Sequence, residues 1–110
     1  MSLNTLLTET RGAVRVIAVN RPDKLNALNR ATLTDLHAAF AEAAGDDAVR
    51  AVVLTGAGPK AFVAGADIAE MNGLSPVQSR DFSRHGQALM TRIERLGKPV
   101  IGMLNGFALG

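Results

Sequence analysis

The stretch "RAVVLTG" (residues 50–56) decides the fold class. It is a short apolar run, rich in β-branched residues and closed by a Gly-rich turn, which reads as a buried strand. What precedes it gives it meaning. From Ala31 to Ala44 the apolar positions Leu33, Leu36, Phe40 and Ala43 or Ala44 recur at a helical period. Asn29 or Thr32 is placed to cap that helix, and Gly45 to close it. A buried strand after a helix implies a parallel βαβ crossover. Further upstream, "LLTET" and "VRVIAVN" flank Arg11-Gly12-Ala13, so residues 6–20 read as an antiparallel hairpin. Val14, Val16 and Ala18 alternate with Arg15, Ile17 and Val19, which leaves neither face strongly polar. "NRPDKLNALN" (20–29) is a loop, marked by its proline, its aspartate and three asparagines.

Downstream, Ser75-Pro76 is a helix start, with serine as N-cap and proline at the first helical position. Phe82, Leu89, Ile93 and Leu96 supply its apolar stripe. Gly86 falls on the same face, where it costs helix propensity but would let a neighbour pack closely. Gly97 ends the helix before Pro99, and "KPVIGMLNG" (98–106) reads as a third buried strand leading into Asn105-Gly106. The expected class is α/β, with helices covering a mostly parallel sheet. A Gly-rich turn after a buried strand normally opens a further element, so Gly110 is read as a truncation point and not as a natural domain end.

Composition narrows the function classes. The chain has 110 residues, the size of one domain, with 47% hydrophobic and 20% charged residues, a globular balance. The net charge is only +2, and lysines and arginines are scattered without a run of like charge. That argues against a nucleic-acid tail but leaves room for a phosphorylated small molecule. There is no cysteine, which excludes disulfides, thiolate metal sites and a cysteine nucleophile. No segment approaches the roughly 20 apolar residues of a membrane span, and "MSLNTLLTET" lacks the features of a signal peptide. A soluble cytoplasmic protein is the expectation.

Most candidate sites dissolve on inspection. "TGAGPKAF" (55–62) is not a phosphate loop, because Lys60 is followed by Ala61 and no hydroxyl is placed for a magnesium ion. Asp81, Ser83 and His85 lie two apart on a helix and face different sides, so they make no hydrolytic triad. His37 reads as a helix-surface residue, Asp46-Asp47 as a solvated turn, and Met71, Met90 and Met103 as core. No two of the ten carboxylates stand out as an acid–base pair. What remains is Gly65-Ala66-Asp67 and Asn105-Gly106 to Gly110, each a set of small residues after an apolar run. Free backbone N–H groups at such turns can serve an oxyanion. Two structural turns would look the same, although strand ends in an α/β sheet are where ligands tend to bind.

Three stretches taken together carry a resemblance: "NRPDKLNALN", "RAVVLTGAGPKAFVAGADIAEM" and "KPVIGMLNGFALG". In this order, from about Leu6 to Gly110, they resemble the N-terminal part of the enoyl-CoA hydratase/isomerase (crotonase) superfamily. The resemblance implies a spiral of repeated ββα units that binds acyl-CoA thioesters, with two backbone N–H groups polarising the thioester carbonyl. The first N–H would be that of Ala66. Asp67 and Ile68, with backbone from Ala64 and Gly65, would line the adenine and pantetheine side, and Lys24 matches a position that often contacts CoA. Asp67 is expected to be structural or ligand-lining and not the base.

The second donor would belong to the glycine run that begins at Gly110. The two glutamates that hydratases use lie beyond that run. Many relatives carry a lysine where this chain has Ala69. The expected activity is hydration of 2-trans-enoyl-CoA to 3-hydroxyacyl-CoA in the intact parent, the 110-residue chain alone being inactive. The alternatives are an enoyl-CoA isomerase or another enzyme of the family, or a non-catalytic or RNA-binding protein of the same fold. The resemblance implies no cofactor beyond the coenzyme A of the substrate, no metal, no nucleic-acid or membrane partner, and a homotrimer or hexamer.

Overall fold

The computed structural model describes residues 5–59, 61–63, 65–104 and 107–108. β1 (Leu6–Arg11) and β2 (Val14–Val19) form the expected antiparallel hairpin, with Leu6 opposite Val19 and Arg11 opposite Val14. Gly12 takes φ 60° in the two-residue turn, a left-handed conformation that glycine adopts without a Cβ clash. A single 3-10 turn (Pro22–Lys24) then leads into α1 (Arg30–Gly45). Of the two candidate caps Asn29 is the one used: its Oδ1 accepts from the Thr32 N–H at 2.9 Å. Thr32 is instead buried, and its hydroxyl donates to the same oxygen at 2.5 Å. β3 (Ala51–Gly56) lies parallel to β2, with Val14 opposite Ala51, and completes the β2–α1–β3 crossover.

After β3 come β4 (Ala61–Val63), α2 (Ile68–Met71), α3 (Pro76–Glu94), β5 (Val100–Gly102) and β6 (Phe107–Ala108). The main sheet has the order β1-β2-β3-β5 and is parallel except for the hairpin; β4 and β6 pair in parallel as a second, small sheet. α3 starts with a full capping box. Ser75 Oγ accepts from Gln78 N at 3.2 Å, and Gln78 Oε1 accepts from Ser75 N at 2.9 Å. The helix stops at Glu94, and Gly97 follows it with φ 82°.

One face of the main sheet carries the core. Ile17 and Val19 of β2 and Val52 of β3 meet Leu33, Leu36, Phe40 and Ala43 of α1 and Phe82 and Leu89 of α3. Each fully buried Leu, Ile or Phe contributes about 1.5–3 kcal/mol relative to exposure, so this seam fixes how α1 and α3 sit. The ambiguity of β2 is resolved by pairing. Arg15 shares the helix-facing side with Ile17 and reaches Glu42 of α1 and Asp46 just past its end, the latter at 3.3 Å.

Three sequence readings are corrected. β5 is not a buried strand: it is three residues at the edge of the sheet, and Ile101, Met103 and Leu104 are exposed. An apolar β-branched run looks the same in sequence whether or not its second face is covered. The methionines read as core are not: Met71, Met90 and Met103 are 39%, 49% and 52% exposed, while His37, on the helix surface as read, sets its ring against that of His85 on α3, with centroids 4.7 Å apart. No described residue packs closely on Gly86; a Cβ built there would meet nothing within 4 Å among the described residues. Asn105 and Gly106 lie outside the described residues.

Candidate functional site

The site forms where the loop 20–29 meets the segment that follows β4. Gly65 has φ 90°, which turns the chain out of β4 in a conformation that L-residues with side chains rarely adopt. The next residue, Ala66, makes an isolated parallel bridge to Leu28. In that bridge the Leu28 N–H donates to the Gly65 carbonyl at 2.7 Å, and the Asp67 N–H donates to the Leu28 carbonyl at 2.8 Å. A parallel bridge uses the groups on either side of its central residue. The N–H of Ala66 itself therefore points away from the Leu28 strand and has no hydrogen-bond partner among the described residues.

Two further ties hold this backbone. Arg21 Nη2 lies 3.0 Å from Asp67 Oδ2, with both side chains mostly buried, and Arg21 Nη1 donates to the Ala27 carbonyl at 2.5 Å. Glu70 of α2 reaches the start of α1: its Oε1 accepts from the Arg30 N–H at 3.0 Å and from Arg30 Nε at 3.2 Å. The hydrogen bond from the Arg21 guanidinium holds the Asp67 carboxyl below the usual carboxylate range. The Glu70 N–H, which donates to Asp67 Oδ1 at 3.2 Å, acts in the same direction, against a smaller effect of burial. Asp67 is thus a fixed anion that clamps the loop. Its carboxylate is engaged on both oxygens.

A cleft of about 620 Å³ opens beside this segment. Leu28, Gly65 and Ala66 border it on one side. α3 contributes Phe82, Ser83, Gly86, Gln87 and Met90, whose spacing is one face of the helix. Phe62 and Val63 of β4, Met71 and Leu33 close the remainder, and no described lining residue is ionisable. The described walls can therefore bind an apolar group and offer backbone hydrogen bonds, but they cannot exchange a proton.

Of the residues singled out in the sequence, Gly65 and Ala66 border the cleft together, while Asp67 stands just behind it as a clamp. Ile68 opens α2. Lys24 sits exposed in the 3-10 turn, where its N–H donates to Arg21 O at 2.9 Å, and it is not among the cleft's lining. Lys60, Ala64 and Gly110 lie outside the described residues. Ser83 lines the cleft while His85 turns toward α1, so the pair do not meet as a catalytic couple. Among the described residues no three His, Asp or Glu side chains gather as a metal site would require. No described helix is long and apolar enough to cross a membrane.

Sequence reasoning passed over Arg21 and Asn26. Asn26 is fully buried at φ 56°. Its Oδ1 accepts from the Arg21 N–H at 2.8 Å and its Nδ2 donates to the Ala57 carbonyl at 3.0 Å, fastening the loop to the end of β3. A signal did exist, since asparagine is among the few residues that tolerate a left-handed backbone.

The same arrangement of elements recurs in known proteins. Residues 9–110 match the family model described as enoyl-CoA hydratase/isomerase. The chain is 48% identical over its whole length to a short-chain-enoyl-CoA hydratase of Clostridium acetobutylicum, and 43% identical to a crotonyl-CoA hydratase of Syntrophomonas wolfei. It spans 42% of the length of each of these relatives. The crystal structure of an enoyl-CoA hydratase from Bacillus anthracis superposes with a TM-score of 0.94 at 36% identity, over 96% of this chain and 42% of that one. With the family model matched almost from end to end and the fold reproduced, this chain belongs to the enoyl-CoA hydratase/isomerase family.

Proposed function

We propose that the cleft binds the acyl thioester of a 2-trans-enoyl-CoA, and that the whole protein hydrates it to the 3-hydroxyacyl-CoA, a reaction of fatty acid metabolism. The observation that carries this reading is the backbone at Ala66: its N–H is unpartnered among the described residues, borders an apolar cleft and is held by ties on both sides. When water adds to the double bond, C2 gains carbanion character and the thioester oxygen becomes an enolate. A fixed N–H donor stabilises that charge without reorganising, an effect worth about 3–4 kcal/mol per donor in comparable sites. Glycine and alanine suit the position because a larger side chain would hold the ligand off the backbone.

Proton transfer needs groups that the described cleft lacks. The resemblance assigns them to two glutamates, one acting on water and one on C2, so that both add to the same face of the double bond. The relatives named as hydratases support hydration over isomerisation. The coenzyme A belongs to the substrate, and no further cofactor enters the reaction as proposed. A second donor is assigned by the resemblance to the glycine run at Gly110, and an oligomer of three or six copies completes the reading.

The test uses the absorbance of the conjugated thioester. Crotonyl-CoA mixed with the 110-residue chain is expected to bind and to show a red-shifted band, because a hydrogen bond to the carbonyl polarises the enone. The band should not decay with time. Ala66→Pro, which removes the N–H, should abolish the shift. Binding with an unperturbed band, or no binding, overturns the thioester reading. Decay of the band overturns the assignment of proton transfer to residues outside this chain.

A further inference from the structure

Gly86 lies in the interior of α3, one turn from Phe82 and one turn from Met90, and all three border the cleft. Glycine at such a place costs helix propensity, so a reason for it is expected. The two ordinary reasons are absent. Its φ is not positive, so no turn demands it. A Cβ built on it meets nothing within 4 Å among the described residues, so no neighbouring backbone or side chain needs the room. What the missing side chain leaves is open space inside the cleft, a notch between a buried phenylalanine and a half-exposed methionine.

We propose that Gly86 is the specificity-determining residue for acyl-chain length, the notch above it taking methylenes of chains longer than the four carbons of crotonyl. This rests on the reading of the cleft as an acyl-thioester site. An acyl chain whose carbonyl lies at Ala66 must run along the apolar walls, and α3 supplies five of the residues that line the cleft Ala66 borders. Along the helix axis the notch is flanked by the apolar Phe82 and Met90, with Ser83 and Gln87 as the polar members of the same wall, so the ligand chemistry it favours is a hydrocarbon chain. Met90 has the flexible side chain that can close over such a chain. Each methylene bedded there adds about fourfold to affinity, the equivalent of about 0.8 kcal/mol.

The experiment is calorimetric titration of butyryl-CoA and octanoyl-CoA, which are saturated and cannot be hydrated, into the wild type, Gly86→Ala and Gly86→Leu. The wild type is expected to bind octanoyl-CoA more tightly than butyryl-CoA. Gly86→Leu should lose tenfold or more for octanoyl-CoA while butyryl-CoA changes by less than threefold. Gly86→Ala should fall between the two for octanoyl-CoA and should raise the melting temperature, since its methyl enters open space on a helix. This variant keeps the test decisive if Gly86→Leu does not fold. A wild type without preference for the longer chain, or variants that weaken both ligands equally, overturns the role of Gly86 and leaves the thioester reading standing. Failure of the wild type to bind either ligand overturns both.

Discussion

At the scale of single residues, the site is built by side chains that never touch the cleft. Asn26 is the clearest case. It is not among the cleft's lining, yet it fastens the loop that supplies Leu28, and Leu28 in turn sets the direction of the Ala66 N–H. Asn26→Ala would leave the Arg21 N–H and the Ala57 carbonyl without these partners and would place a Cβ-bearing residue without a polar side chain at φ 56°. Each unsatisfied group costs about 1–3 kcal/mol and the left-handed backbone about 1–2 kcal/mol. A loss of about 3 kcal/mol or more in urea unfolding is therefore expected. Asn26→Gly should recover about 1 kcal/mol of it, because only the backbone strain is relieved. Equal destabilisation by alanine and glycine would show that the backbone conformation contributes nothing. In the sequence Asn26 was one asparagine of three in a loop. Nothing local distinguishes a buried amide that spans 31 residues from a solvated one.

At the scale of elements, α3 has two occupations: one face lines the cleft and another packs on α1. The seam holds an imidazole pair, His37 and His85. Arg92 Nε can only donate, and it lies 3.3 Å from His37 Nδ1, so that nitrogen accepts. His37 Nε2 then carries the proton and donates to the His85 carbonyl at 3.1 Å. Burial lowers the pKa of His85, and the neighbouring His37 lowers it further. The folded state therefore resists protonating His85 where the unfolded chain, at about 6.5, does not. Below that pH the unfolded state binds more protons, so stability falls with decreasing pH until the folded-state pKa is reached. The urea midpoint is expected to drop between pH 7.5 and pH 5, and His85→Gln should flatten that slope. An unchanged slope in the variant would remove His85 as its cause. The helix itself was legible from Ser75-Pro76 and its apolar stripe. The histidine pairing was not, because residues 37 and 85 meet only once the crossover has been wound.

At the scale of the whole molecule, legibility followed the number of independent constraints on each strand. "RAVVLTG" was placed correctly because a helix precedes it and a hairpin strand pairs with it; Val52 within it is fully buried. β4 and β6, of three and two residues, carry too little pattern to be read as a second sheet. β5 carried a strong apolar pattern and was read as buried, but it is the outermost strand, with Ile101 56% and Leu104 67% exposed around it. An exposed apolar edge offers unpaired backbone groups to another strand. Leu7, Val16, Ala18, Val53 and Met103 line an open groove on the sheet face away from the helices, which extends the apolar surface. The 110-residue chain is therefore expected to associate with itself. Sedimentation at increasing concentration should show species heavier than 11.5 kDa, and added sulfate should favour them, because salts excluded from the surface strengthen apolar burial. Ile101→Lys with Leu104→Lys should shift the population toward the monomer, since charge on an edge opposes pairing. A chain that remains monomeric at high concentration and in sulfate would mean that this surface, although exposed, is too small or too mobile to hold a second copy.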